Sequence, residues 1–237
     1  GFGVISIMGP KARDLLQSLT TADMSNGGFP FATSRKIELG YAIVRASRIT
    51  FVGELGWELY VPTEFMQSVY DEIVTAGESF DLVHAGYHAL NSLRMEKAYR
   101  HWSHDITDED TPLEAGLNFV VKFDKAGGFI GRESLLVQKN AGVERRLLQF
   151  KLDDPEPLLY HNEPIWRDGK ICGHITSGAY GHSLGGCIGL GYVQVPQGTK
   201  PEVALEGKYE IEVACERFAA KPSIQPLYDP KNESIRR

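Results

Sequence analysis

Cysteine is scarce in this chain. Cys172, Cys187 and Cys215 are its three, an odd number, and no two have C-x-x-C spacing. A disulfide framework and a zinc ribbon are both poorly supported, and reduced thiols in an intracellular compartment fit better. Long apolar runs are missing as well. No stretch approaches the roughly 18 consecutive apolar residues of a membrane span. Basic charge is in deficit: 25 Lys and Arg stand against 31 Asp and Glu, a formal net charge of −6. That balance argues against a nucleic-acid interface, which needs clustered positive charge, and leaves room for a local basic pocket that takes a small anion. No basic segment followed by an apolar one opens the chain, so no signal peptide is read. There is no repeat and no low-complexity tract. An initiator Met is absent too. The chain starts Gly1-Phe2-Gly3, and Val4 to Met8 reads as a buried strand already under way. The expectation is the C-terminal part of a longer protein.

What is present is ordinary globular material: 237 residues, 42% hydrophobic and 24% charged, enough to bury a core unaided. Lys11 to Leu19 has helical spacing after the Gly9-Pro10 turn. Ile37 to Arg45 reads as a strand. Ile49, Phe51, Leu55, Trp57, Leu59 and Val61 alternate with period two and predict two strand segments bent at Gly53-Glu54-Leu55-Gly56. Thr63 is placed as the N-cap of a helix ending at Gly77. A second helix is predicted from about Gly86 to Tyr99, burying Ala89, Leu90 and Leu93. After Glu144 helical periodicity disappears. Leu147–Leu152, a hairpin at Asp168-Gly169, Ile188–Val195, and Val203–Cys215 turning at Glu206-Gly207 predict a small barrel or sandwich. The fold class is α+β followed by a small antiparallel barrel, with domains 1–143 and 144–237.

Candidate chemistry divides into weak and stronger signals. His84 and His88 are four apart, with His101, His104 and Asp105 further on. No catalytic Glu stands between the spaced histidines, and solvated or core histidines are the better reading than a metal site. Gly189-Leu190-Gly191 has Gln194 where a third dinucleotide-binding glycine would stand, and it lacks a strand-to-helix context. These glycines are expected to serve turns and close strand packing. Ser177 is not in a G-x-S-x-G elbow. Glu54 is more informative. A carboxylate between two glycines at a bend can project into a cleft, and it is a bidentate acceptor suited to an aminopyrimidine edge. The alternative is an exposed turn glutamate. Arg94, at the edge of an apolar helix with Asn91 three residues before it, could bind a carboxylate or join intrahelical ion pairs of the Glu96–Arg100 kind. Tyr99 and Trp102 offer aromatic surface for stacking or for core packing.

Several stretches together resemble one family. Ile5-Ser6-Ile7-Met8-Gly9-Pro10-Lys11-Ala12-Arg13, Phe51 to Leu59, Leu90 to Trp102, Thr111 to Leu117, Phe129 to Glu133 and Thr176 to Gly181 are similar, in order and spacing, to the folate-binding aminomethyltransferases. The glycine-cleavage T-protein is the best-known of these. Glu96 to Trp102 and Pro226-Leu227-Tyr228-Asp229-Pro230 look nearer to the C-terminal half of sarcosine and dimethylglycine dehydrogenases, where a flavin domain precedes the folate domain. The resemblance implies that Glu54 holds the pterin's aminopyrimidine edge, that Arg94 belongs to the folate site with Tyr99 and Trp102 near it, and that the Thr176-Ser177-Gly178 loop of the barrel closes over it. It implies oxidation of an N-methyl amine in the flavin domain and capture of the one-carbon unit by tetrahydrofolate as methylene-tetrahydrofolate. FAD would bind only in an upstream domain, and the family's catalytic Asp would lie upstream of Gly1. No catalytic residue is therefore assigned, and the chain alone is expected to be inactive. The compartment implied is the mitochondrial matrix in a eukaryote or the cytoplasm in a bacterium. A plain T-protein, a non-catalytic regulatory relative such as the pyruvate dehydrogenase phosphatase regulatory subunit, and a flavin-free demethylase on the same scaffold are the alternatives. Fold does not choose among them.

Overall fold

The computed structural model describes residues 1–237. By packing, the chain divides into residues 1–90 with 231–237, and residues 91–230. The boundary expected at 143 falls inside the second unit.

The first unit is a four-stranded antiparallel sheet with one face covered by helices. Its strands are β1 (Phe2–Met8), β2 (Ser34–Leu39), β3 (Ala42–Ser47) and β4 (Gly56–Pro62), in spatial order β1-β4-β3-β2. Trp57, Leu59 and Val61 of β4 and Val44 and Ala46 of β3 point inward. They meet Leu15 and Leu16 of α1 (Ala12–Leu19) and Val69 and Ile73 of α2 (Met66–Gly77) in one core.

Four expectations need correction here. Only Ile7 of β1 is buried, because β1 lies at the sheet's edge with β4 as its neighbour on one side. The single strand read over Ile37–Arg45 is the hairpin β2–β3. It turns at Gly40, whose positive φ of 57° permits the reversal. Of the two strand segments read over 49–61, only β4 forms. Residues 49–55 make a bend instead: Thr50 Oγ1 accepts the N–H groups of Val52 (3.2 Å) and Gly53 (3.1 Å), and Gly53 takes φ +78°. Side-chain acceptors of this kind compete with ladder formation. Thr63 does not cap α2 either. It opens a short 3₁₀ turn (Thr63–Phe65) before Met66, without a capping hydrogen bond.

The second unit carries a closed six-stranded antiparallel barrel. Its strands are β5 (Arg145–Leu152), β6 (Pro164–Arg167), β7 (Lys170–Gly181), β8 (Gly186–Gln194), β9 (Tyr209–Val213) and β10 (Glu216–Ser223), in the closed order β10-β5-β8-β7-β6-β9. The α+β-then-barrel fold read from the sequence is therefore the fold observed. Asp168 (φ 51°) and Gly169 (φ 78°) make the β6–β7 turn as predicted. Val203–Leu205 belongs to a 3₁₀ turn rather than a strand, and β9 begins only at Tyr209. The barrel glycines serve close approach. A methyl on Gly173 or Gly191 would strike the facing carbonyl of Tyr192 or His174.

Strand β8 is buried along nearly its whole length. One face fills the barrel. The other meets Met95 and Ala98, at and beyond the end of α3 (Tyr87–Glu96), through Ile188, Leu190 and Tyr192. This contact reverses the burial predicted for that helix. Ala89 is exposed and Leu90 and Leu93 are half-buried, while Arg94, Met95 and Glu96 are buried. A helix of ten residues that sequence reading did not find, α4 (Arg132–Ala141), buries none of its residues and so shows no apolar stripe.

Candidate functional site

Glu54 lies in the bend before β4. The bend is fixed on both sides: the Thr50 hydroxyl holds Val52 and Gly53, and Leu55 is buried with its carbonyl accepting the Gly9 N–H at 2.8 Å. Gly56 sits so close to β1 that a methyl there would overlap the Ile7 carbonyl and the Met8 sulfur. The half-buried Glu54 carboxylate therefore leaves a braced backbone, where a mobile loop would have been the simpler outcome.

The second group of candidates surrounds the end of α3. Ala98 N–H donates to Met95 O and Tyr99 N–H to Arg94 O, both at 2.9 Å. Ala98 adopts φ +53°, which turns the chain back so that residues 99–105 fold over the last helical turn. Asp105 thereby reaches Arg94. Arg94 Nη1 donates to Asp105 Oδ2 at 2.6 Å, with side-chain exposures of 3% and 0%. The same Nη1 donates to Tyr99 O (3.1 Å), and Nε donates to Asn91 Oδ1 (2.8 Å). Asp105 also accepts the His101 N–H (2.8 Å) on Oδ2 and the Thr176 hydroxyl (2.6 Å) on Oδ1, while its carbonyl accepts the Tyr192 hydroxyl at 3.0 Å. A fully buried carboxylate needs such a set of donors.

The structure thus joins Arg94 to Thr176 through Asp105, while Arg94 reaches the Tyr99 carbonyl directly. Ser177 is buried in β7 opposite Leu190. Trp102 is two-thirds exposed, and its backbone bridges to Ile106. Burial, and then the charge of Asp229, push the Tyr99 phenol above its ordinary value. The Glu96–Arg100 pair does not form, because the helix stops at Glu96. Glu96 Oε1 instead accepts the Ser183 N–H at 2.6 Å, and Arg100 donates to the carbonyls of Ala98 and Ala115.

Sequence reading missed Asp105 as an arginine partner, having grouped it with the nearby histidines. No group of three or more His, Cys, Asp or Glu side chains is placed to hold a metal ion. A buried lysine and its partly exposed partner also went unnoticed, Lys97 and Asp229. The one available signal was density of charge: Arg94, Glu96 and Lys97 crowd into four positions, and such a run needs partners once buried. A cavity of about 690 Å³ lies elsewhere, between the 123–131 loop and the start of α4, and none of the candidate residues lines it.

Comparison with known families matches the model "GCVT N-terminal domain" over residues 1–125 and "Glycine cleavage T-protein C-terminal barrel domain" over 145–229. The chain belongs to the glycine-cleavage T-protein family. The second match coincides with the barrel. Human mitochondrial sarcosine dehydrogenase is 39% identical over 236 residues, covering 99% of this chain and 26% of that protein. The mitochondrial pyruvate dehydrogenase phosphatase regulatory subunit of Mus musculus is 38% identical over 238 residues, covering 95% and 27%. This T-protein family chain therefore spans about a quarter of the length of these curated relatives. The crystal structure of the glycine cleavage system aminomethyltransferase T from Bartonella henselae superposes with a TM-score of 0.80 at 22% identity, covering 96% of this chain and 60% of that one. That likeness shows the fold.

Proposed function

We propose that this chain is the tetrahydrofolate-binding, one-carbon-transfer part of a sarcosine/dimethylglycine dehydrogenase-like flavoenzyme. In that reading a flavin domain upstream oxidises an N-methyl amine, and the present residues bind the folate that receives the carbon. The compartment proposed is the mitochondrial matrix in a eukaryote and the cytoplasm in a bacterium. Family membership and the similarity to sarcosine dehydrogenase support the reading.

One observation carries it: a half-buried carboxylate, Glu54, on a bend braced by the Thr50 hydroxyl and a left-handed Gly53. A braced carboxylate can accept two parallel N–H groups from an aminopyrimidine, at about 1.5–3 kcal/mol for each charge-assisted bond that replaces water. In the other unit, Arg94 is proposed as the cation of the folate site, with Tyr99 and Trp102 as aromatic surface and Thr176 and Ser177 as the adjoining barrel segment. Tetrahydrofolate supplies a nucleophilic nitrogen that takes up the one-carbon unit. What this chain's residues contribute is binding and orientation, which convert an encounter into a positioned reaction. No catalytic group is assigned among them, and the chain by itself is proposed to bind without turning over.

The test is calorimetric titration of the chain with 5-formyltetrahydrofolate, a stable reduced folate. The expected result is saturable binding that Glu54→Gln weakens. Absence of binding to the wild-type chain, or binding indifferent to Glu54→Gln and Glu54→Ala, would overturn the assignment.

A further inference from the structure

Arg94 divides its guanidinium. Nε goes to Asn91 and Nη1 to Asp105 and Tyr99 O, whereas Nη2 takes no partner from the chain and is not among its buried, unpartnered atoms. With Nε and Nη1 held on opposite sides, the planar guanidinium has one orientation, and that orientation sets the direction in which Nη2 points. What fixes it is Asp105, and what fixes Asp105 is the barrel. The ladder between β7 and β8 pairs Ile175 with Gly191 and Ser177 with Leu190, so Thr176 is the extra residue of a β-bulge. Bulges redirect side chains. Here the Thr176 hydroxyl has two acceptors within reach, Asp105 Oδ1 at 2.6 Å and the Leu190 carbonyl of β8 at 3.2 Å, and the shorter contact is to the carboxylate. Tyr192, on the neighbouring strand, seats the Asp105 backbone.

Resting on the folate reading above, we infer that Asp105 and Thr176 are positioning residues of that site: they hold Arg94 through Nη1 so that Nη2 meets a carboxylate on the folate's glutamate tail. Thr176 then acts through Asp105 and does not itself touch the ligand. Weakening the anchor frees the arginine. An Arg94 without its buried counter-charge turns toward water and loses its aim, because an unpaired charge at that depth is strongly unfavourable.

The experiment uses the 237-residue chain and two ligands that differ only in the tail, 5-formyltetrahydrofolate and its α,γ-diamide. The wild type is expected to favour the diacid by about 10-fold, the worth of one charge-assisted contact. Asp105→Asn and Thr176→Val are expected to reduce that preference to about twofold by weakening the diacid and leaving the diamide unchanged, and Thr176→Ser to restore it. A structural role alone would weaken both ligands together. The inference is overturned if the diacid/diamide ratio is unaltered in both variants, or if Thr176→Ser behaves like Thr176→Val. Thr176→Val and Thr176→Ser keep the test decisive should Asp105→Asn fail to fold. If the wild type binds neither ligand, the folate reading itself fails and this inference goes with it. If the wild type binds both ligands equally, the folate reading stands and the assignment of Arg94 Nη2 to the tail is wrong.

Discussion

Lys97 Nζ lies 2.6 Å from the carbonyl oxygen of Asp229 and 3.2 Å from its carboxylate, and the lysine side chain has no exposed surface. A buried ammonium of this kind binds the segment before Pro230 to the end of α3. Removing one partner of a buried pair costs more than the pair is worth, typically about 3–5 kcal/mol when both are deep. Asp229 retains 12% exposure and can recover some hydration, so Lys97→Met is expected to lower unfolding free energy by about 2–3 kcal/mol. Adding Asp229→Asn should return about 1 kcal/mol of that. Urea denaturation of the two single variants and the double variant measures the coupling, and strict additivity would contradict it.

The Glu54 prediction has a size. Glu54→Gln keeps the shape and one acceptor but loses the charge and the second acceptor. The affinity for 5-formyltetrahydrofolate should fall by about 10-fold to 100-fold, with thermal stability within about a degree of wild type, because a half-exposed carboxylate contributes little to folding. A melting temperature that falls in step with affinity would place Glu54 in the scaffold rather than at a ligand.

Acid sensitivity should centre on the 101–105 loop. Burial, then the charges of His104 and Arg94, hold His101 below its ordinary value of 6.5, against a smaller opposing pull from Asp105. The His101 and His104 rings are 4.6 Å apart. Since the folded pKa is depressed, the unfolded chain takes up its proton first as pH falls, and stability then declines from about pH 6.5 down to the folded pKa. Chemical denaturation midpoints between pH 7.5 and pH 5 should show the decline, and His101→Gln should flatten it. An unchanged slope in that variant would assign the effect to other groups.

Gly178 and Gly86 offer a matched comparison, since neither requires a positive φ. A methyl at Gly178 would press into the backbone of Leu159, whereas one at Gly86 meets nothing within 4 Å. Gly178→Ala is expected to destabilise by about 2 kcal/mol through overpacking, and Gly86→Ala to stay within about 0.5 kcal/mol of wild type. Thermal unfolding of both variants checks the difference.

The sequence was most legible where local chemistry and tertiary packing agree. Asp168-Gly169 demands a tight turn whatever surrounds it, and a hairpin stands there. The family motifs carried the α+β-then-barrel arrangement as a whole. Legibility failed where an apolar pattern had another cause. Phe51 and Leu55 keep period two with β4, yet the Thr50 hydroxyl had already claimed the amides that a strand would need. It failed again at α3, where apolar Ala89 faces out and Arg94, Glu96 and Lys97 face in. Their partners Asp105, Ser183 and Asp229 lie 11, 87 and 132 residues away, and no local window contains them. Glu54, between two glycines, could be suspected from sequence, but the brace beneath it could not.

Thr176 is a residue that strand pairing does not count. Were it deleted, Ile175 and Ser177 would still face Gly191 and Leu190 in succession, and the closed sheet could persist. What such a shortened chain would surrender is the hydroxyl on the Asp105 carboxylate, leaving the Tyr192 hydroxyl on the Asp105 carbonyl. The barrel and the helix end would still meet through β8, but the carboxylate against which Arg94 is set would have lost one of its supports.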